Sequence, residues 1–161
     1  MTRANFVSGI GGDNTPFFSA LKTSDQTIND TTDTKITFDS VLTESSSGVF
    51  DLTNNKFTCV TAGKYLLVFK ATFFDGNNNL KRADMHVYKN GSQYAQEVFY
   101  DDDGHIREQV TQLTFIDNVA QNDYYEIYVY GDTTDNGTYV IGGNDHSASK
   151  QTIMQGFKLI T

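Results

Sequence analysis

The clearest alternation of apolar and polar positions lies in the segment 57–73, where a turn at 61–63 separates two apolar runs. In the second run apolar side chains occur at every other position, which is the period of a strand that presents them all on one face. These positions are Tyr65, Leu67, Phe69, Ala71 and Phe73. The opposite face begins with Leu66 and Val68 before it turns polar, so this end of the strand needs a cover on both sides. One cover is the core of the chain itself, and a second subunit is the candidate for the other.

Short runs of this kind, separated by turn residues, continue along the chain. An alternating run over 35–42 predicts one strand, whereas the Ser-, Thr- and Asp-rich segment 23–34 predicts a loop. Asn90-Gly91 indicates a two-residue hairpin turn between two strands. Further strands are predicted at 17–21, 84–89, 94–100, 110–119, 124–130, 138–141 and 153–159. No segment has the 3.6-residue period of a helix, so the pattern predicts an all-β antiparallel sandwich or barrel of about eight to ten strands.

The first 16 residues differ from the rest, because they show no periodicity and end at Pro16, the only proline in the chain. A segment without a core of its own takes its order from contacts with something else. We therefore predict an extended arm over 1–16, followed by one β-domain over 17–161. Arg3, Phe6 and Ile10 are the arm side chains expected to dock on a partner.

The charge of the chain narrows the choice of partners. There are 20 acidic and 12 basic side chains, which gives a net charge of -8. Such a surface disfavours both nucleic acid and anionic lipid, so neither is expected as a partner. The first residues lack the apolar segment of a secretory signal, and no stretch reaches the ~18 apolar residues of a membrane span. We expect a protein that is made in the cytoplasm of its host cell.

Catalytic chemistry finds little support in the sequence. His86, His105 and His146 are spread along the chain and do not pair at the spacing of metal ligands. The serine run 45–47 ends in a glycine and is typical of a turn rather than of a nucleophile. Cys59 shares a strand face with Phe57 and is expected to be a small buried residue. We therefore predict a protein that is not an enzyme and needs no cofactor.

One acidic run is a candidate calcium-binding site. Asp101, Asp102 and Asp103 precede a glycine, and adjacent aspartates in a tight loop supply several of the oxygens that calcium requires. The alternative is a solvated hairpin tip, which is favoured because the run lacks the glutamate spacing of an EF-hand loop.

The segment 124–130 has tyrosines at four of its seven positions. Tyrosine offers a flat apolar ring together with a hydroxyl, so the segment has the composition of a glycan platform. The other interpretation is that these rings line the core and a subunit interface, and this second interpretation is favoured.

The turn at 61–63 also takes part in a longer pattern. Phe50, Phe57, Gly63 and Tyr65 are separated by six, five and one residues. This spacing resembles a signature of the complement C1q globular head and of the related tumour-necrosis-factor jelly roll. Segments 17–20 and 156–159 are similar to the opening and the closing strand of that family, and 122–123 stands where the family has Gly-Asp before a strand. Two departures are that Phe38 lies one residue too far from Phe50 and that Ser45 replaces an expected Asn or Asp.

The resemblance implies an antiparallel jelly-roll sandwich of about ten strands that assembles as a homotrimer around a three-fold axis. It also implies recognition or assembly rather than catalysis. On this basis we predict one trimer interface, composed of Tyr65, Leu67, Phe69, Tyr128, Tyr130 and Phe157.

Modules of this type that are rich in Asn, Thr and Asp resemble those found on bacteriophage virions. We therefore predict a trimeric virion structural protein, a capsid decoration or cement protein that stabilises the head. Its partner would be the major capsid protein or another virion protein. The alternative is a tail or fibre module that binds a glycan on the host surface.

Overall fold

The computed structural model describes residues 14–103, 105–142 and 152–159. Within these residues the chain is all β, with thirteen strands and no helix. The strands are β1 (Phe17–Leu21), β2 (Gln26–Asn29), β3 (Thr34–Lys35), β4 (Ser40–Glu44), β5 (Phe50–Asp51), β6 (Lys56–Thr58), β7 (Gly63–Phe74), β8 (Leu80–Lys89), β9 (Ser92–Tyr100), β10 (Glu108–Val119), β11 (Tyr124–Thr133), β12 (Thr138–Ile141) and β13 (Ile153–Lys158).

The strands form two antiparallel sheets that enclose one apolar core. Sheet A has the order β2-β12-β7-β13-β1-β4, and β10 pairs with the other side of β7. Sheet B has the order β5-β6-β11-β8-β9, and β3 also pairs with β11. Two sheets of antiparallel strands with such crossovers between them make a jelly-roll sandwich, which confirms the predicted fold class. On one side of the sandwich the outermost strands are β10 in sheet A and β9 in sheet B.

Strand β7 lies at the centre of sheet A, and alternate side chains on it build the core. The five predicted positions on its apolar face, 65, 67, 69, 71 and 73, are all fully buried. The prediction that they share one face is therefore confirmed. Fully burying a large apolar side chain stabilises a fold by about 1.5–3 kcal/mol, so this face is a main source of stability.

The predicted hairpin is present between β8 and β9. Asn90 and Gly91 have φ angles of 54° and 77°, the left-handed values that a two-residue type I′ turn requires at both positions. The turn places β9 at the outer edge of sheet B.

The prediction of one strand over 35–42 is wrong, because the chain changes sheets in this segment. Its start, β3, pairs with β11 of sheet B, whereas β4 pairs with β1 of sheet A. Between them Ile36 and Phe38 are buried, so the alternating pattern continues without a continuous ladder. Asp39 fixes the crossing, since its carboxylate accepts hydrogen bonds from the backbone and hydroxyl groups of Thr23 and Ser24.

The segment 23–34, predicted as a loop, contains β2. This short strand pairs with β12 at the margin of sheet A, and only Ile28 among its four residues is buried. This edge strand is held by backbone hydrogen bonds, which any residue type can make. Because it buries only one side chain, its other residues can be polar, and its composition is that of a loop.

Candidate interaction surfaces

The outer face of sheet A carries an apolar row that runs across four adjacent strands. Phe17 of β1 pairs with Phe157 of β13, which pairs with Leu66 of β7, which pairs with Ile116 of β10. Directly paired residues point to the same side of a sheet, so these four side chains stand abreast over about 14 Å. Ile116 is 60% exposed and the other three are half-buried. We call Phe17, Leu66, Ile116 and Phe157 the apolar row.

The edge strands β9 and β10 carry further exposed apolar side chains. Val98 and Tyr100 point outward from sheet B, whereas Val110 and Ile116 point outward from sheet A. Among the described residues, five of the eight exposed large hydrophobic side chains lie on these two strands. They are Tyr94, Val98, Tyr100, Val110 and Ile116. Side chains of both strands that point between the sheets are only partly buried, as at Phe99, Leu113 and Phe115. We call β9 and β10 the open edge, which meets the apolar row at Ile116.

Three residues predicted for a trimer interface lie elsewhere. Tyr65, Leu67 and Phe69 have no exposed surface, because they point from β7 into the core of their own chain. The Tyr65 hydroxyl donates a hydrogen bond of 2.6 Å to the Thr61 carbonyl, which satisfies its polar end inside the protein. A side chain without exposed surface makes no contact with a neighbouring subunit, so these three assignments are corrected.

The remaining three predicted interface residues lie on opposite sides of the sandwich. Phe157 belongs to the apolar row, whereas Tyr128 and Tyr130 pair with His86 and Asp84 and point outward from sheet B. The six residues therefore do not form one surface. The sequence does contain a signal for the apolar row. The outer face of β7 begins with the apolar residues Leu66 and Val68, and this end of the strand was predicted to need a second cover.

Five of the nine tyrosines share the outer face of sheet B. This tyrosine face consists of Tyr88, Tyr100, Tyr124, Tyr128 and Tyr130. Tyr100 is 56% exposed and the other four are half-buried. The favoured interpretation of 124–130 places its rings in the core and at a subunit interface. Its core part holds for Tyr125, which is fully buried, whereas Tyr124, Tyr128 and Tyr130 are half-buried and point outward.

Polar groups between these rings are held in place by one another. Asp84 has no exposed surface, and its carboxylate lies 2.6 Å from the Arg82 guanidinium. Arg82 in turn lies over the Tyr130 ring, 5.0 Å from its centroid. Tyr88 donates a hydrogen bond of 3.0 Å to Asp33, and burial is the first cause that raises the pKa of Tyr88. The phenol therefore stays neutral and keeps its proton at physiological pH.

The acidic run next to the open edge forms a turn. The Asp103 backbone donates a hydrogen bond of 3.2 Å to the Asp101 carboxylate, and both Asp102 and Asp103 are exposed. In the described part of the chain no group of three or more His, Cys, Asp or Glu side chains is arranged to hold a metal ion. The run connects β9 of sheet B with β10 of sheet A, so it is not the tip of a hairpin, and calcium binding there stays a prediction.

Cys59 is fully buried, as predicted, and its thiol donates to the Thr61 carbonyl. Burial is the main cause that raises the pKa of this thiol, so it stays protonated and unreactive. Arg3, Phe6 and Ile10 of the predicted arm lie outside the described residues. The described residues include no helix of the length and apolarity that crossing a lipid bilayer requires.

Comparisons with known proteins agree with this architecture. The model of the C1q domain matches residues 17–152 of the chain. No curated protein shows significant similarity to its sequence.

Two solved structures illustrate the fold similarity. The globular domain of a zebrafish complement 1qA protein superposes with a TM-score of 0.56 at 17% identity, over 89% of this chain and 97% of that one. Murine APRIL superposes with a TM-score of 0.59 at 11% identity, over 89% of this chain and 98% of that one. At these identities the similarity concerns the fold alone.

Proposed function

Because the chain belongs to the C1q domain family, we propose that it is a non-enzymatic, homotrimeric structural protein that decorates and stabilises the capsid of a phage. The observation that carries the trimer is the apolar row on the outer face of sheet A. Four apolar side chains abreast form a contiguous exposed patch of the kind that marks a protein–protein interface.

The open edge supplies the complementary surface, through the partly buried side chains that point between the sheets at Phe99, Leu113 and Phe115. If the open edge of one copy packs against the apolar row of the next, each subunit uses two different patches. A contact between different patches closes into a ring when the rotation between subunits fits, and we propose that three copies close it. Ile116 lies where the two patches meet.

The virion role rests on the resemblance to Asn-, Thr- and Asp-rich virion modules and on the acidic net charge of -8. In this role the predicted arm over 1–16 would dock on the major capsid protein at the junctions between capsomers. Apolar area buried at such junctions adds roughly 25 cal/mol per Å², which opposes opening of the shell under internal pressure.

A second candidate function is a receptor-binding module of a phage tail or fibre that recognises a glycan on the host surface. The tyrosine face favours it, because its rings on β8 and β11 lie away from the apolar row and stay outward in the proposed trimer.

Quantitative mass spectrometry of purified virions tests whether the protein belongs to the capsid or to the tail. Hundreds of copies per particle are expected for a capsid protein, and a few copies would instead indicate the tail. Virions that lack the protein should lose infectivity at a lower temperature than intact virions. Equal heat stability of the two, or absence of the protein from virions, would refute the capsid role.

A further inference from the structure

The tyrosine face has a chemistry different from that of the apolar row. The row consists of Phe, Leu and Ile side chains, whereas the tyrosine face combines aromatic rings with hydroxyls and ion pairs. Self-association accounts for the apolar row but gives the tyrosine face no partner. Tyrosine combines a flat apolar surface with a hydrogen-bonding group, which suits it to ligands that have both.

Three of these rings follow one another along a single strand. Tyr124, Tyr128 and Tyr130 project from the same side of β11 and span about 20 Å at the rise of a strand. Tyr88 of the neighbouring strand extends the surface, with its ring centroid 4.4 Å from that of Tyr128. The rings thus form an elongated platform whose length suits several consecutive units of a linear polymer.

The charged groups around the rings are bonded to one another. Arg82 pairs with Asp84, Lys81 pairs with Asp132 at 3.0 Å, and Lys35 pairs with Glu126. The fourth carboxylate, Asp33, accepts bonds from His86 and Tyr88.

The fourth basic side chain, Lys56, lies over the Tyr124 ring at 4.6 Å. A fifth carboxylate, Asp51, lies opposite Lys56 across β5 and β6 and accepts hydrogen bonds from Asn54. Each of the five carboxylates is therefore held by a partner within the chain.

This internal pairing of the charges selects the ligand class. Nucleic acids and anionic lipids need an excess of unpaired basic groups, and a cationic ligand needs an excess of unpaired carboxylates. A neutral ligand with flat C–H surfaces and many hydroxyls fits a face of rings, phenols and internally paired charges. We propose that the tyrosine face of sheet B binds a linear neutral polysaccharide, with the rings of Tyr124, Tyr128 and Tyr130 stacking on separate sugar units along the polymer.

The proposal rests on the second candidate function and narrows it to one ligand class. It depends on the trimer only in that a contact between the apolar row and the open edge leaves the tyrosines of β8 and β11 outward. Its test uses the full chain and affinity electrophoresis with dextran, mannan, galactan and xylan as neutral polymers. Heparin and vesicles of phosphatidylglycerol represent anionic ligands. We expect retardation by at least one neutral polymer, by neither anionic probe, and with little change when the salt is raised to about 0.5 M.

Substitutions on the tyrosine face test whether the polysaccharide binds there. Tyr128→Ser and Tyr130→Ser should each weaken binding about tenfold, because truncating a stacked aromatic removes a main contact. Tyr128→Phe keeps the ring and should retain most of the affinity. Val60→Ser, at a 54% exposed site in the connection between β6 and β7, is the control and should bind as the parent does.

Two readouts keep a folding defect apart from a loss of binding. The mass of each variant by light scattering reports whether the assembly is intact, and it tests the trimer independently of the glycan. Because the chain has no tryptophan, its tyrosine fluorescence is directly observable and should change when the polymer binds. Binding to none of the neutral polymers, or binding that persists unchanged in the intact Tyr128→Ser and Tyr130→Ser proteins, would overturn the proposal. So would binding to an anionic probe alone.

Discussion

An aspartate placed at two neighbouring positions of β7 should have opposite consequences. Leu66 points outward into the apolar row, and Leu67 points into the core with no exposed surface. We predict that Leu66→Asp yields a folded monomer and that Leu67→Asp prevents folding. The two changes are chemically identical and adjacent, so only the direction of the side chain distinguishes them.

The magnitudes follow from the burial of each leucine. Leu66 is half-buried in the single chain, so contact with a neighbour adds about 1 kcal/mol of the 1.5–3 kcal/mol that full burial provides. A carboxylate at the same point is desolvated by the neighbour, which adds a cost of several kcal/mol. A loss of about 3 kcal/mol per subunit weakens each contact roughly a hundredfold.

At Leu67 the same change empties a fully buried site and leaves an unpaired charge in the core. Replacing a buried leucine by alanine alone costs about 2–5 kcal/mol, and the buried charge adds to that. The sum is comparable with the entire stability of a domain, about 5–15 kcal/mol.

The assay combines light scattering with urea denaturation followed by circular dichroism. Leu66→Asp should have the mass of one chain and a cooperative transition, and Thr53→Asp, in an exposed turn, should remain a trimer. A trimeric Leu66→Asp protein would refute the assignment of the apolar row. A folded Leu67→Asp protein would refute the orientation of β7.

Three further predictions concern the packing, the acid stability and the acidic turn. Gly156→Ala should destabilise the fold by about 1–3 kcal/mol in urea denaturation, because its Cβ would lie 2.7 Å from the Leu67 side chain; Gly76→Ala, with its nearest neighbour at 3.8 Å, should be close to neutral. Burial opposes ionisation of Asp39, but the hydrogen bonds donated by its Ser and Thr neighbours outweigh it and lower the pKa to about 2. The stability that Asp39 contributes is therefore present above about pH 4 and lost as the pH falls towards 2, so Asp39→Asn should cost roughly 1 kcal/mol at pH 7 and nothing at pH 2 in paired denaturation curves. A chelator should leave the thermal midpoint unchanged, since the Asp101 carboxylate is already bonded within its own turn, and a drop of several degrees on chelation would contradict this.

The fold class follows from local patterns in the sequence. The five alternating positions of β7 and the Asn90-Gly91 turn depend on the geometry of one strand and one hairpin, and both were predicted correctly. The sheet change at 36–39 was missed because a crossing segment with buried Ile36 and Phe38 alternates in the same way as a strand.

The interface residues were harder to predict. The alternation of a strand divides its side chains between two faces, but it does not show which face points into the core. Tyr65 carries a hydroxyl, yet it is buried, since the Thr61 carbonyl four residues away accepts its hydrogen bond. Leu66 stays at the surface although it is fully apolar, because the neighbouring strands extend the apolar row to either side of it. Which strands lie beside β7 is a property of the sheet topology, and no single segment of sequence specifies it.

The trimer is tested most directly by the mass of the unmodified protein in sedimentation equilibrium over a wide range of concentrations. The proposed contact between the open edge of one copy and the apolar row of the next predicts a mass three times the 18.0 kDa of one chain. A mass of one chain at every concentration would contradict the proposed assembly.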